Sequence, residues 1–141
     1  MKDIEKKLLM NDCRLVLKMA GFNDVLGETF AFGVAPFETG DFKSDICKEQ
    51  FNLFGMKCPV KRETYCDGTK RGHACFKNYR ASVMDLVLWL EYVKFPKDLR
   101  DTFSVVNMMK QKGYFEADLK HYFYNVSYWM HVYKNSYNIN D

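Results

Sequence analysis

A chain of 141 residues is long enough for one domain with one real hydrophobic core. With 48% hydrophobic and 28% charged residues its composition is ordinary for a globular protein, and its net charge of +3 suits attraction to an anionic polymer such as a cell wall. That charge is too weak to argue for nucleic acid, because no basic stripe interleaves with aromatics; no run approaches the ~20 apolar residues of a membrane span; and the opening Met1-Lys2-Asp3-Ile4-Glu5-Lys6-Lys7 has no signal-peptide pattern.

In chain order, Leu8, Leu9, Val16, Leu17 and Ala20 predict the apolar face of a helix over 4–20, capped by Asp3 and stopped by Gly21. A second helix is expected from Asp24 through Leu26, Phe30, Ala31 and Val34 to Glu38, with Pro36 kinking or tightening its last turn. Residues 45–50 read as a short helix, and Gly55 closes the turn after it. Between 57 and 79 Gly and Pro punctuate the chain. There Cys66-Asp67-Gly68-Thr69 reads as a turn between two strands, about 60–65 and 70–76, which predicts a β-hairpin. Ser82, with Asp85 three residues on, reads as a capping box. It would open a helix through Val83, Leu86, Val87, Leu90 and Val93, with Trp89 packed on it and Phe95-Pro96 as the stop. Asp98 is expected to open the next helix, through Phe103, Val106 and Met109 to Lys112, ended by Gly113. The last helix is expected over 118–133, with Tyr122, Val126, Trp129 and Val132 toward the core and fraying from 135 to 141. The expected class is α+β, mainly helical, with one small β-hairpin, in a single domain over 1–141. The aromatic content of 16% suits either a filled core or a groove that stacks sugars.

Five cysteines, Cys13, Cys47, Cys58, Cys66 and Cys75, leave at least one unpaired within the chain. An oxidised pair near the hairpin would suit an extracytoplasmic protein. With Asp67-Gly68 as a two-residue turn, Val60 faces Cys75 and Cys58 lies just beyond, so a Cys58–Cys75 disulfide is expected. Cys58, Cys66, His73 and Cys75 contain no C-x-x-C knuckle, which speaks against a zinc site.

Glu38 stands in an otherwise apolar run of Phe30, Ala31, Phe32, Val34, Ala35 and Phe37. Ionising a carboxyl beside so much apolar surface is costly, which raises its pKa toward the value a general acid needs near neutral pH. Taken alone, the residue also reads as an exposed carboxylate at a helix end. Its surroundings carry more. Phe37-Glu38-Thr39-Gly40, then Ser44, then Asn52-Leu53-Phe54-Gly55-Met56-Lys57 resemble the core signature of the glucosaminidase family. These are peptidoglycan hydrolases of glycoside hydrolase family 73, among them flagellar rod-cap hydrolase domains and autolysins. The usual pattern is Glu-Ser-Gly-Trp-Gly-x-Ser, a short gap, and Asn-Leu-Phe-Gly-Ile-Lys. The second half is nearly unbroken here. In the first, Thr39 stands for Ser, Asp41 for Trp and Phe42 for Gly.

The resemblance spans about 24–129 and implies a lysozyme-like domain whose hairpin lines a cleft opposite the helix carrying Glu38. In the family the hairpin bears a second Glu, usually followed by Tyr, thirteen positions before a Phe-x-x-Tyr pair. Glu63 stands thirteen before Phe76-Lys77-Asn78-Tyr79, with Thr64 and then Tyr65 after it, so the second acid is carried over to Glu63. By itself Glu63 reads as an exposed strand residue. Gly113-Tyr114 matches a Gly-Tyr whose tyrosine lies in the cleft; by itself Tyr114 reads as half-buried after a helix end.

The implied activity is an endo-β-N-acetylglucosaminidase that cuts the glycan strands of peptidoglycan, with Glu38 as general acid. Either Glu63 is the base of an inverting reaction, or the substrate's acetamido group is the nucleophile and Tyr114 orients it. Substrate contacts are implied at Asp41, Phe42, Asn52, Phe54, Tyr65 and Tyr79. The segment from Asn52 to Lys57 is also expected to support the cleft, with Phe51, Leu53 and Phe54 buried and Asn52 bonded to backbone. No metal or organic cofactor is required by this chemistry. The expected partner is peptidoglycan, not nucleic acid or a membrane span, and the chain is expected to be a monomer at an extracytoplasmic location. Two other readings stay open: a non-catalytic wall-binding module with a degenerate site, and a cysteine peptidase using Cys75 and His73, which share a strand face but lack an orienting acid.

Overall fold

In the computed structural model, residues 1–137 are described, with side chains through residue 134. The first helix, α1 (Asp3–Met19), turns Lys6, Met10, Cys13 and Leu17 inward at spacings of three and four. Leu8, expected on that face, is 62% exposed, because 100° per residue puts it nearly opposite. Lys2, not Asp3, holds the cap position, with no side-chain bond.

The second helical segment is continuous but changes its winding. α2 (Asp24–Glu28) starts at Asp24 as expected and is capped by Asn23, whose side chain accepts from the Leu26 N–H at 3.0 Å. A π turn follows (Thr29–Val34), and then α3 (Ala35–Glu38). Pro36 has no N–H to give the preceding turn and its ring crowds that turn. The chain widens ahead of it instead of breaking, and the Ala35 N–H reaches the Phe30 carbonyl five residues back. Gly33 lets this π turn sit directly on the last helix: a Cβ there would lie 2.6 Å from Val126 Cγ1.

After Glu38 the chain makes a left-handed run at Gly40, Asp41 and Phe42, with φ of 57°, 62° and 65°. Two of these are not glycine, so the run is strained and must be held from outside. The Thr39 hydroxyl accepts from the Phe42 N–H at 2.8 Å. Phe42 is fully buried, and the Asp41 carboxylate meets buried Lys6 at 3.1 Å and accepts from the Tyr133 hydroxyl. α4 (Asp45–Gln50) then starts at Ser44, whose Oγ accepts from the Cys47 N–H at 3.1 Å.

The hairpin is shorter than expected and turns elsewhere. β1 (Thr69–Lys70) pairs antiparallel with β2 (His73–Ala74), Thr69 opposite Ala74 and Lys70 opposite His73. The tip is Arg71-Gly72, both left-handed at 56° and 73°, as a two-residue primed turn requires. Asp67-Gly68 lies alongside Cys75, not at the tip: the Asp67 N–H donates to the Cys75 carbonyl and the Cys75 N–H to the Gly68 carbonyl, each at 2.8 Å. Residues 60–65 form no strand. This shift overturns the expected disulfide. Cys58 pairs with Cys66 at a Cα–Cα distance of 5.6 Å, and Cys75 is a free thiol, as are Cys13 and Cys47.

α5 (Tyr79–Tyr92) starts one turn earlier than predicted, because Asn78 caps it by accepting from the Ala81 N–H at 2.8 Å. Ser82 and Asp85 are therefore inside the helix and fully buried, where their polar atoms serve neighbouring segments. Lys94, left-handed at 55°, follows the helix end and leads to Phe95-Pro96. α6 (Thr102–Gln111) is capped by Asp101, not Asp98. α7 (Leu119–Tyr137) begins with the Asp118 carboxylate accepting from the His121 N–H at 3.1 Å. Tyr122, Val126 and Tyr133 are buried in it, with Trp129 and Val132 half-buried against the core. It continues through residues 135–137, where fraying was expected; residues 138–141 lie outside the described part.

The result is a mainly helical α+β fold with one two-stranded sheet. A single hydrophobic cluster draws on all the longer helices, and the π turn packs most extensively on α7. Among the described residues no helix is long and apolar enough to cross a membrane.

Candidate active site

The turn after α4 fixes the site. Phe51 takes a left-handed φ of 55° and ends the helix. Asn52, fully buried, then satisfies the turn from inside. Its Nδ2 donates to the Met56 carbonyl at 2.8 Å and the Ala74 carbonyl at 3.0 Å, and its Oδ1 accepts from the Phe54 and Met56 N–H groups at 3.3 and 3.2 Å. One amide side chain thus replaces the regular structure these backbone groups lack. The Leu53 N–H donates to Ser82 Oγ at 3.0 Å, and the Leu53 and Phe54 side chains are buried. The Ala74 N–H donates to the Met56 carbonyl at 3.0 Å, tying β2 to the same turn.

Gly55, at φ +67°, brings this turn against Glu38: a Cβ there would stand 2.6 Å from Glu38 Oε2. Glu38 Oε1 accepts from the Tyr122 hydroxyl at 2.8 Å. The two oxygens are therefore distinct. In the neutral acid the proton belongs on Oε2, beside Gly55, because Oε1 already receives one. Burial holds the Glu38 carboxyl above the usual carboxylate range; the Tyr122 hydrogen bond and the charge of His73 work against that rise. The Tyr122 ring is stacked on Phe115 at 3.8 Å and edge-on to Phe37 at 5.0 Å. Burial and the nearby carboxyl push its own pKa well up, so it stays a neutral donor.

Gly55 also lines a cavity of about 550 Å³, walled by Trp89, Tyr114 and Phe115 together with the segment 54–59. Glu38 is not in its wall; Gly55, which approaches Glu38, is. Tyr114 donates from its hydroxyl to the Phe54 carbonyl at 2.8 Å and sets its ring edge-on to Trp89 and Phe30. The far wall belongs to the loop closed by Cys58–Cys66. Asp85, wholly buried on α5, accepts from Arg62 at 3.0 and 3.3 Å, from the Thr64 hydroxyl at 2.6 Å and from the Tyr65 N–H at 2.8 Å.

The expected site residues are only partly brought together. Glu38 borders Gly55, and Tyr114 is bonded to Phe54 in the wall of the cavity that Gly55 also lines. Glu63 is exposed beside Leu88 and Tyr92, outside the main cavity, because Asp85 draws its neighbours Arg62 and Thr64 inward and turns it out. Phe42 and Asn52 have no exposed surface and support the site from within. Phe54 is likewise buried and reaches the cavity mainly through its backbone. Asp41 is taken up by Lys6 and Tyr133. Tyr65 is 44% exposed, and half-buried Tyr79 packs edge-on to Phe51. Tyr122, which holds the acid, read from sequence only as a core position of α7; a hydroxyl on an apolar helix face was the available signal. Arg62 and Asp85 gave none. Among the described residues no cluster of three or more His, Cys, Asp or Glu side chains could hold a metal. No family model, curated protein or solved structure matches the chain.

Proposed function

We propose that the protein is a glycoside hydrolase acting on peptidoglycan, an endo-β-N-acetylglucosaminidase of lysozyme-like organisation with Glu38 as general acid. The observation that carries this reading is the Glu38 carboxyl. It is half-buried at the end of a helix, one oxygen is held by Tyr122, and the other is turned to a glycine that leaves it room. A carboxyl whose pKa is raised by desolvation is suited to give its proton to a glycosidic oxygen, which is the demanding half of glycan hydrolysis. The aromatic wall of Trp89, Tyr114 and Phe115 beside it suits the apolar face of a sugar. Tyr114 keeps its hydroxyl on the Phe54 carbonyl, so orienting an acetamido group would require that bond to open. The Cys58–Cys66 disulfide suits an oxidising, extracytoplasmic setting.

A second reading, a wall-binding module without cleavage, draws on the outward position of Glu63. One experiment separates these from peptidase activity: purified cell wall is incubated with the protein and the released muropeptides are analysed. Glycan hydrolysis yields new reducing ends, a peptidase yields cut stems, and a binding module yields neither. Glu38→Gln keeps the shape and removes the transferable proton, so a folded variant is expected to lose all glycan cutting. Wild-type turnover in that variant would sink the assignment.

A further inference from the structure

We propose that the outer face of α1 is a dimer interface, on which a second copy of this chain docks through its own α1, the two helices running parallel. The inner face of α1 is already used: Lys6, Met10, Cys13 and Leu17 pack toward the core. At 100° per residue, Ile4, Leu8, Leu15 and Met19 fall within one arc of about 60° on the opposite side. These four side chains are between 50% and 87% exposed. The helix is thus apolar on two opposite faces, and the fold covers one of them. A single exposed leucine is ordinary, but a row of apolar side chains along a whole helix marks a docking surface.

The order of residues on this face fits a second copy. Leu8 and Leu15 stand seven apart, and Ile4 and Asn11 alternate with them at spacings of four and three, the heptad pattern of a two-stranded coiled coil. The residues bordering this seam carry opposite signs: Lys7 and Arg14 on one flank, Glu5 and Asp12 on the other. In a parallel pair opposite flanks meet, so Lys7 of each copy faces Asp12 of the other. In an antiparallel pair like flanks meet, which sets Lys7 against Arg14 and Glu5 against Asp12. Arg80 of the same chain shares the Asp12 carboxylate, so the flanks set the direction and the apolar seam supplies the strength. Lys18, at the far end of the seam, leans to Asp24 at 3.8 Å. The acidic flank also separates this helix from one that lies on an anionic membrane, whose polar face is rich in Lys and Arg. At 17 residues, about 25 Å, α1 is short for a coiled coil standing alone. Its inner face already orders it, however, so pairing does not have to form the helix. Four apolar side chains from each copy bury less than a permanent interface does, which makes this a weak, concentration-dependent dimer in place of the monomer expected from the sequence.

Sedimentation equilibrium of the full chain over a concentration series is expected to show monomer and dimer in exchange. Leu8→Glu and Leu15→Glu are each expected to weaken association about ten-fold or more, because each puts a charge where a leucine would be buried. Both side chains are exposed in the single chain, so neither change removes a core contact, and melting curves establish that the variants fold. A chain that stays monomeric at millimolar concentration, or a dimer that neither variant weakens, overturns the interface. Direction is read by isotope-filtered NOE spectroscopy on an equal mixture of labelled and unlabelled chains. Parallel helices bring Leu8 beside Leu8 of the second copy. Antiparallel helices bring Leu8 beside Leu15 of the second copy, and that pattern overturns the argument from the flanks. A monomer that cosediments with phosphatidylglycerol vesicles, and loses this in Leu8→Glu, gives the face to a membrane and overturns the dimer.

Discussion

Two irregular segments meet at the cavity, and they are held in opposite ways. The turn 51–57 is fixed from within: Asn52 makes four hydrogen bonds to backbone, two of them to the turn's own N–H groups, and Leu53 and Phe54 are buried beneath it. Within the loop 58–68 Thr64 Oγ1 accepts from the Cys66 N–H at 3.0 Å and Arg62 donates to the Glu63 carbonyl at 2.8 Å, but no single residue spans it as Asn52 spans the turn. It is fixed by a disulfide at its ends and by one carboxylate, Asp85, that belongs to a distant helix. A segment of the first kind is a property of its own sequence. A segment of the second kind takes its shape only when α5 is already in place.

The largest expected effect breaks the second arrangement. Asp85→Ala leaves Arg62 buried without its counter-charge and the Thr64 hydroxyl and Tyr65 N–H without their acceptor. Removing one partner of such a buried pair costs about 3–5 kcal/mol. Chemical denaturation is expected to show that loss, and hydrogen exchange to show it concentrated in 58–68. A loop that stays protected would mean that the disulfide alone suffices.

A somewhat smaller loss is expected from breaking the first. Leu53, 1% exposed, is the apolar core of the turn. Leu53→Ala is expected to cost about 2–5 kcal/mol, depending on how far the cavity collapses. Here the loss belongs to global unfolding, because the turn packs on α5 through Ser82 and on the main cluster. An unchanged melting temperature would show that the turn is held by Asn52 alone.

The smallest effect sharpens the comparison at the point where the turn covers the acid. The Glu38 pKa is raised above its ordinary 4.5 on folding, so the native state binds this proton more tightly than the unfolded chain. Its contribution to stability is fully present below about pH 4.5 and is lost as pH rises through the folded-state value. Glu38→Gln removes that dependence. Melting temperature followed from pH 4 upward is expected to fall less in the variant than in wild type, and parallel curves would mean that the carboxyl is not desolvated by the turn.

Most helices were legible because apolar spacing and cap residues act over a few positions. Ser44 caps α4, and the span 45–50 was read correctly. The misreadings share one physical source. Asn78 and Asp101 compete with nearby Ser82 and Asp98 for the same cap role, and local propensity ranks such residues too closely to choose. Arg71-Gly72 lost to Asp67-Gly68 for a similar reason, since the latter is the commoner turn pair. That single error moved the strand register and, with it, the cysteine partner.

By itself the sequence determined a mainly helical chain with one small hairpin, an acid in an apolar run and a turn centred on Asn52. It could do so because helix periodicity and the self-satisfied Asn52 turn each depend on contacts within a few residues, whereas the turn ahead of Pro36 widened where a kink or tightening was expected. Only the tertiary structure decided which oxygen of Glu38 faces Gly55, that Tyr122 holds the other, that Asp85 turns Glu63 outward, and that the hairpin brings Ala74 to the turn. Each of those depends on residues from separate elements meeting at hydrogen-bond distance, and no spacing along the chain encodes such a meeting.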